Sequence, residues 1–302
     1  MSARRHAWAS LAVVSLGLFI SSGCATAPRF SFDVVADMRC YTPPEHNGPE
    51  YFEGACLAIR EVGPGAFMLV PGDLDPVHRV HDTVTSTLGD DYAMYPVVGN
   101  HELERPEDMP YLREMNTDGV ELPRVVRAGP PGAVETCYSF DYENAHFVVI
   151  NQYYDGKSDA GTDGDVTPAL HEWLAEDLAA NEQPLVFVAG HEPAVAMPDL
   201  DNGRVRHRGD SLDKYAENNH RFWSLLREHD VVGYICGHTH DASVAKINGV
   251  WQIDAGHARG LGDKGAPSTF VKIRIDGERV DCEMYRSTAG GPYELTFAER
   301  LR

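Results

Sequence analysis

The sequence predicts an α/β fold: a largely parallel sheet covered by helices, with a second, more antiparallel sheet from the C-terminal third. Three observations predict it. Short runs rich in Val, Ile and aromatic residues recur along the chain and stop at polar residues, which is the pattern of buried strands. Segments with helical spacing lie between several of these runs, and strands alternating with helices build a parallel sheet. The C-terminal third carries two hairpin patterns instead.

The first strand run, Phe32 to Ala36, stops at Asp37. Phe67 to Val70 leads through Pro71-Gly72 to Asp73, and Tyr95 to Val98 leads through Gly99 to Asn100. Phe147 to Ile150 stops at Asn151. Leu185 to Ala189 leads through Gly190 to His191, and Val231 to Cys236 leads through Gly237 to His238. Helical spacing marks Tyr51 to Val62, Asp75 to Leu88, Thr167 to Asn181 and Asn219 to His229. Asp75 is placed to cap the second helix, and Thr167-Pro168 fits an N-cap followed by a first-turn proline. Ala242–Ile247 and Val250–Asp254 form a hairpin pattern over Asn248-Gly249, a pair suited to a tight hairpin turn. Phe270–Ile275 and Val280–Tyr285 form another over Asp276-Gly277. The segments Glu104 to Arg127 and Pro198 to Glu217, rich in Pro, Gly, Asp and Arg, read as loops around a site. Residues 24–302 are therefore expected to form a single domain.

The first residues stand apart. Arg4 and Arg5 precede a nearly unbroken apolar run from Leu11 to Ile20, and small residues lead to Cys24. This is the layout of a secretory signal peptide over residues 1–23, and the run is too short for a comfortable transmembrane helix. Ser21-Ser22-Gly23-Cys24 resembles a bacterial lipoprotein cleavage box, which implies an exported protein, periplasmic or at the cell surface, held to a membrane by lipid on Cys24. Ordinary cleavage near Ala25 or Ala27, giving a secreted protein, is the other reading. Six cysteines occur and no Cys-x-x-Cys motif. Cys40 and Cys56 are the best candidates for a disulfide, and Cys236 reads as a buried thiol.

The formal net charge is −20. Removal of residues 1–23 takes away two arginines and no acids, which moves it to −22. Such a surface repels polyanions and argues against nucleic-acid polymers as partners. A small phosphate ester stays compatible, because bound divalent metals reverse the local field.

The polar stops all fall at the carboxyl ends of strands, where α/β sheets gather their chemistry. In chain order they are Asp37-Met38-Arg39, Gly72-Asp73, Gly99-Asn100-His101-Glu102, Gly190-His191 and Gly237-His238-Thr239-His240. Singly each is weak; together they set oxygen and imidazole ligands on one rim. A glycine before a ligand lets the chain turn sharply and lets backbones approach closely. Extended geometry has period two, so His238 and His240 are expected on one side and Thr239 on the other.

This order resembles the calcineurin-like metallophosphoesterases, to which purple acid phosphatases are related. The family pattern is Asp-x-His, Gly-Asp, Gly-Asn-His-Asp/Glu, a lone His and Gly-His-x-His, and the similarity runs from Asp37 to His240. The resemblance implies a two-sheet β-sandwich flanked by helices. It implies that Asp73 bridges two metals, that Asn100, His191 and His238 complete one, and that Asp37 and His240 serve the other. His101 would sit over the phosphate, bind it and protonate the leaving oxygen, with Glu102 orienting the His101 ring. Mixed carboxylate, amide and imidazole ligands suit two divalent or trivalent ions of Mn, Fe or Zn. Such a pair, ~3.5–4 Å apart, activates a water for attack on a phosphomonoester or phosphodiester.

The chain departs from the pattern at Arg39, where the family has His, and at Pro76, where purple acid phosphatases have Tyr. A guanidinium offers no lone pair to a metal. Arg39 is expected either to bind a phosphate oxygen of the substrate or to pair with a nearby acid. The alternative to a phosphoesterase is a catalytically weak, mononuclear metal- and anion-binding lipoprotein. Among other residues, Asn151, Gln152 and Tyr153 could touch substrate, Asp254 and His257 could support the ligands, and His78 and His81 read as a solvated helix face. Arg204, Arg206 and Arg208 could attract anions but read as a solvated loop.

Overall fold

The computed structural model describes residues 27–39 and 48–302. The signal segment, Cys24 and the Cys40 half of the expected disulfide lie outside the described residues. Among the described residues, no helix is long and apolar enough to cross a membrane.

The strands are β1 (Arg29–Val34), β2 (Met68–Val70), β3 (Met94–Pro96), β4 (Val125–Ala128), β5 (Tyr138–Tyr142), β6 (Ala145–Val149), β7 (Leu185–Ala189), β8 (Gly233–Cys236), β9 (Ala242–Ile247), β10 (Val250–Ala255), β11 (Ser268–Asp276), β12 (Arg279–Ser287) and β13 (Glu294–Arg300). The helices are α1 (Phe52–Val62), α2 (Val77–Leu88), α3 (Asp108–Met115), α4 (Pro168–Ala180) and α5 (Ala216–Glu228). They form two mixed sheets, ordered β13-β12-β11-β1-β2-β3 and β4-β5-β6-β7-β8-β10-β9.

The parallel strands divide between the sheets. β1, β2 and β3 run parallel in the first; β6, β7, β8 and β10 run parallel in the second. This corrects the expectation that both C-terminal hairpins build a separate antiparallel sheet. The β9–β10 hairpin extends the second sheet through β8, and the β11–β12 hairpin joins the first sheet through β1. The physical reason is burial. Each set of crossover helices covers only one face of its sheet, so the other faces stay apolar and stack on one another.

Alternation along the strands shows this directly. Phe147 and Val149 point into the core between the sheets, with Phe32, Phe67 and Phe187. Val148 and Ile150 point outward beneath Trp173 and Leu174 of α4 and Phe222 of α5. On the opposite flank, Val35, Met68 and Val70 pack under Phe52 and Ile59 of α1 and Val80 of α2. Strands buried on both faces read as continuous apolar runs, which is why they stand out in the sequence. Aromatic rings fill the middle layer: Phe140 stacks on Phe147 at 4.9 Å and on Tyr95 at 3.7 Å.

The turns follow their chemistry. Asn248 and Gly249 both take positive φ, 48° and 103°, as a two-residue hairpin of this type requires. Thr167 accepts from the Leu170 amide at 3.3 Å, with Pro168 in the first turn of α4. Asp75 does not cap α2. The helix begins at Val77, and the Val77 amide donates instead to Asp108 at 2.9 Å. Asp108 opens α3, a helix inside the stretch expected to be loop, where Met109 and Leu112 bury against the α2 layer.

Candidate metal centre

The upper edges of both sheets meet where β1, β2, β3, β7 and β8 end. The first sheet delivers Asp37, Asp73 and Asn100; the second delivers His191 and His238, with His240 two residues on. Close approach is possible because of glycine. A Cβ on Gly99 would lie 2.4 Å from the Asp73 amide nitrogen, and one on Gly237 would lie 2.5 Å from Asp37 Oδ2.

The centre has two lobes that share Asp73. In one lobe His191 Nε2 lies 3.1 Å from Asn100 Oδ1 and 3.4 Å from Asp73 Oδ1. His238 Nδ1 lies 3.1 Å from Asn100 Oδ1 and 3.2 Å from His191 Nε2. Second contacts fix the tautomers. His191 Nδ1 faces the Pro71 carbonyl at 2.8 Å and His238 Nε2 faces the Asp210 carbonyl at 3.3 Å. A carbonyl only accepts, so those nitrogens carry the protons and the inward ones carry bare lone pairs. Four lone-pair atoms thus converge with no proton among them. Atoms bound to one cation at ~2.1 Å stand roughly 3.0–3.4 Å from each other, so this lobe fits a divalent ion.

In the other lobe, Asp37, Asp73 and His240 bring ligand atoms within 4.8 Å of one another, all buried. His240 Nδ1 donates to Asp263 at 2.6 Å, which leaves Nε2 bare and 3.5 Å from Asp37 Oδ1. Asp37 Oδ2 accepts from the His238 amide at 2.9 Å, while the buried Oδ1 has no hydrogen-bond partner. An orphaned buried carboxylate oxygen is costly, and a cation would satisfy it.

The electrostatics agree. Burial, then the neighbouring Asp73 and Asp254, push the Asp37 carboxyl well up. Burial opposes ionisation of Asp73, but His191, His101, His238 and Arg39 together carry it down to about 2. Burial lowers His191, takes His238 well down and brings His240 to about 3. The imidazoles therefore stay neutral at physiological pH, as ligands must.

The expected period-two geometry of Gly237-His238-Thr239-His240 is not what places the rings. His238 and His240 have φ of 70° and 58°. The motif is a tight turn, and its two imidazoles enter different lobes. Thr239 points away, donating to Asp254 Oδ2 at 2.7 Å. Asp37 and Asp73 are also left-handed, at 53° and 58°.

Glu102 does not orient His101. Its carboxylate is fully buried and turned the other way, accepting from the amides of Gly99, Asp73 and Leu74 at 2.6, 3.0 and 2.6 Å. It ties the loop after β2 to the loop after β3. His101 Nδ1 instead meets Glu104 Oε2 at 2.8 Å. Residues 102–104 form a 3₁₀ turn, in which side chains three apart eclipse. That puts Glu104, and not its neighbour, beside the ring.

Arg39 pairs with a nearby acid, the second of the two readings offered for it. Its Nε donates to Asp75 Oδ1 at 3.1 Å, and its Nη1 lies 2.7 Å from His101 Nε2. That nitrogen stands 3.7 Å from Asp73 Oδ2, so the guanidinium lies at the mouth of the centre.

The structure assigns other residues to support. Asn151, Gln152 and Tyr153 are buried. Gln152 Oε1 takes the His191 and Glu192 amides at 2.8 and 2.6 Å, which holds the β7 end in place. Arg204 and Arg206 are not solvated loop. Both lie near Asp263, at 3.7 and 3.8 Å, behind His240. His207 lays its ring 4.1 Å from that of His238. Glu104, Asp263 and His207 carry no motif signal in the sequence.

A search of curated protein sequences found no match. Among solved structures the fold resembles PhoD, with 11% identity, a TM-score of 0.61 and coverage of 92% of this chain and 72% of that one. It also resembles GAP50, the anchor in the inner membrane complex of Plasmodium, with 13% identity, a TM-score of 0.57 and coverage of 91% and 89%. At these identities the likeness is one of fold. A family model described as calcineurin-like phosphoesterase matches residues 31–242, a span that contains every ligand atom described above. The chain belongs to the calcineurin-like phosphoesterase family.

Proposed function

We propose that this protein hydrolyses a small phosphate ester at a two-metal site. One observation carries the reading: unprotonated lone pairs from Asp73, Asn100, His191 and His238 converge in one lobe, and Asp73 also serves a second lobe with Asp37 and His240. Divalent cations bound there would supply Lewis acidity toward the phosphoryl oxygens and a water of lowered pKa.

The chain's own groups supply the rest. Arg39 turns its fork toward the phosphoryl oxygens, for which guanidinium geometry is matched. In the resting structure His101 Nε2 accepts from Arg39 and carries no proton. Movement of Arg39 onto substrate frees that lone pair to take a proton from solvent, and the resulting imidazolium gives it to the ester oxygen as the P–O bond breaks. Glu104 keeps the His101 ring in register by accepting from Nδ1. Glu102 holds both ligand loops together through three backbone amides.

A second reading follows from Arg39 itself. It occupies the sequence position at which the family pattern has a histidine, and the Asp37 lobe brings together three protein side chains, Asp37, Asp73 and His240. A protein that filled only the other lobe would bind metal and anion with weak turnover.

The experiment is hydrolysis of p-nitrophenyl phosphate and bis-p-nitrophenyl phosphate after reconstitution with Mn, Fe or Zn, with metal counted in the same sample. Near two metals per chain, with turnover that drops by a factor of about a thousand or more in Asp73→Ala, is the expected result. One metal and no turnover with any of the three ions would replace this reading with the second.

A further inference from the structure

Arg39 has a companion. Arg105, one residue beyond the 3₁₀ turn, brings Nε to 3.7 Å from Asp75 Oδ2, on the carboxylate whose Oδ1 takes Arg39 Nε at 3.1 Å. Two guanidiniums thus share one buried carboxylate on the His101 side of the centre. They are graded in depth. The Arg39 side chain is 13% exposed and reaches His101, while that of Arg105 is 30% exposed and lies farther out. One outer contact of Arg105, Nη1 to Glu107 at 3.3 Å, is with a half-exposed acid, and a rim pair of this kind exchanges readily for a better anion.

The pair stands against its background. The chain carries a net charge of −20, which repels anions at a distance. A single phosphoryl group held by Arg39 and the two lobes makes no use of a second guanidinium beyond Asp75.

We propose that Arg105 binds a second phosphate on the substrate, adjacent to the one cleaved, so that the substrate class is a diphosphate or bisphosphate ester. The planar fork of Arg suits a phosphate bidentately, where Lys would offer only a point charge. The inference rests on the phosphoesterase reading above and adds a substrate class to it.

The test uses the full metal-loaded protein at a fixed free-metal concentration. Methylenediphosphonate and methylphosphonate, which are not hydrolysed, are titrated calorimetrically into wild type, Arg105→Ala and Arg105→Lys. Wild type should bind the diphosphonate more tightly than the monophosphonate. Arg105→Ala should shrink that margin by about tenfold or more, the range for a charged hydrogen bond. Arg105→Lys, which keeps the charge and guards against a folding defect in the alanine variant, should fall between. A margin equal in all three proteins overturns the assignment. Turnover of p-nitrophenyl phosphate in the same preparations separates the two claims. Turnover with an unchanged margin removes the Arg105 role alone. A fully metallated, inactive wild type removes the phosphoesterase reading, and the margin still decides whether Arg105 reads a second phosphate.

Discussion

The two lobes of the candidate metal centre share Asp73 and little else. The Asn100–His191–His238 lobe has four converging donors, its two imidazoles each backed by a backbone carbonyl, with neighbouring atoms 3.1–3.4 Å apart. The Asp37–His240 lobe has three, spread over as much as 4.8 Å, with one oxygen left orphaned. The first is nearly complete from protein alone. The second has fewer protein donors, and Arg39 stands nearby, against His101 and Asp75. On the proposed reading the difference would separate holding a metal from using one, because a closed donor set retains its ion and an open one exchanges ligands.

The sharpest way to break the comparison is to delete one imidazole from each lobe. His238→Ala should lower metal affinity by about a hundredfold and His240→Ala by about tenfold, within the span seen when such shells are damaged. Calorimetric titration of each metal-free variant reads this directly; equal losses would show that the lobes are not distinct. A gain-of-ligand change sharpens it from the other side. Arg39→His should raise the stoichiometry or affinity of the Asp37 lobe by roughly tenfold, while it weakens substrate binding through loss of the fork. No change in metal content would show that residue 39 does not face that lobe.

The smallest effect is in protons. The folded-state value of Asp37 lies above that of the unfolded chain, because burial and Asp73 oppose its ionisation. In metal-free protein this group therefore costs stability as pH rises through the ordinary carboxylate range. A cation displaces the proton, so metal binding should release protons and tighten as pH rises. Titrations in buffers of different ionisation enthalpy measure the release, and a value of zero at mildly acidic pH would contradict the assignment.

The candidate ligands were legible because each follows a buried strand by two to four residues, and both the strand and its polar stop are local features. Asp37, Asp73, Asn100, His191, His238 and His240 all come together as the sequence suggests. Their supports were not legible. Glu102 and Glu104 are two residues apart and alike in chemistry, and only the 3₁₀ turn decides which meets His101. Asp263 reaches His240 from 23 residues along, through a loop without periodicity. The hairpins were visible from their turns, but the sheet each joins depends on pairing with β1 or β8, far off in the chain. The helix at Asp108–Met115 was hidden by Pro110 and by charged neighbours.

Four of the candidate ligand residues, Asp37, Asp73, His238 and His240, hold left-handed backbone. For side chains other than glycine this conformation carries an energetic penalty, and here the surrounding sheets enforce it before any ion arrives. An arriving cation therefore finds a finished mould and has little chain to order. Entry and exit of metal should be governed by shedding of hydration water and by passage past Arg39, with the backbone a bystander. A chelator would then leave behind a folded, empty vessel that can be refilled with a different ion, which makes this centre a practical place for swapping one metal chemistry for another within a single scaffold.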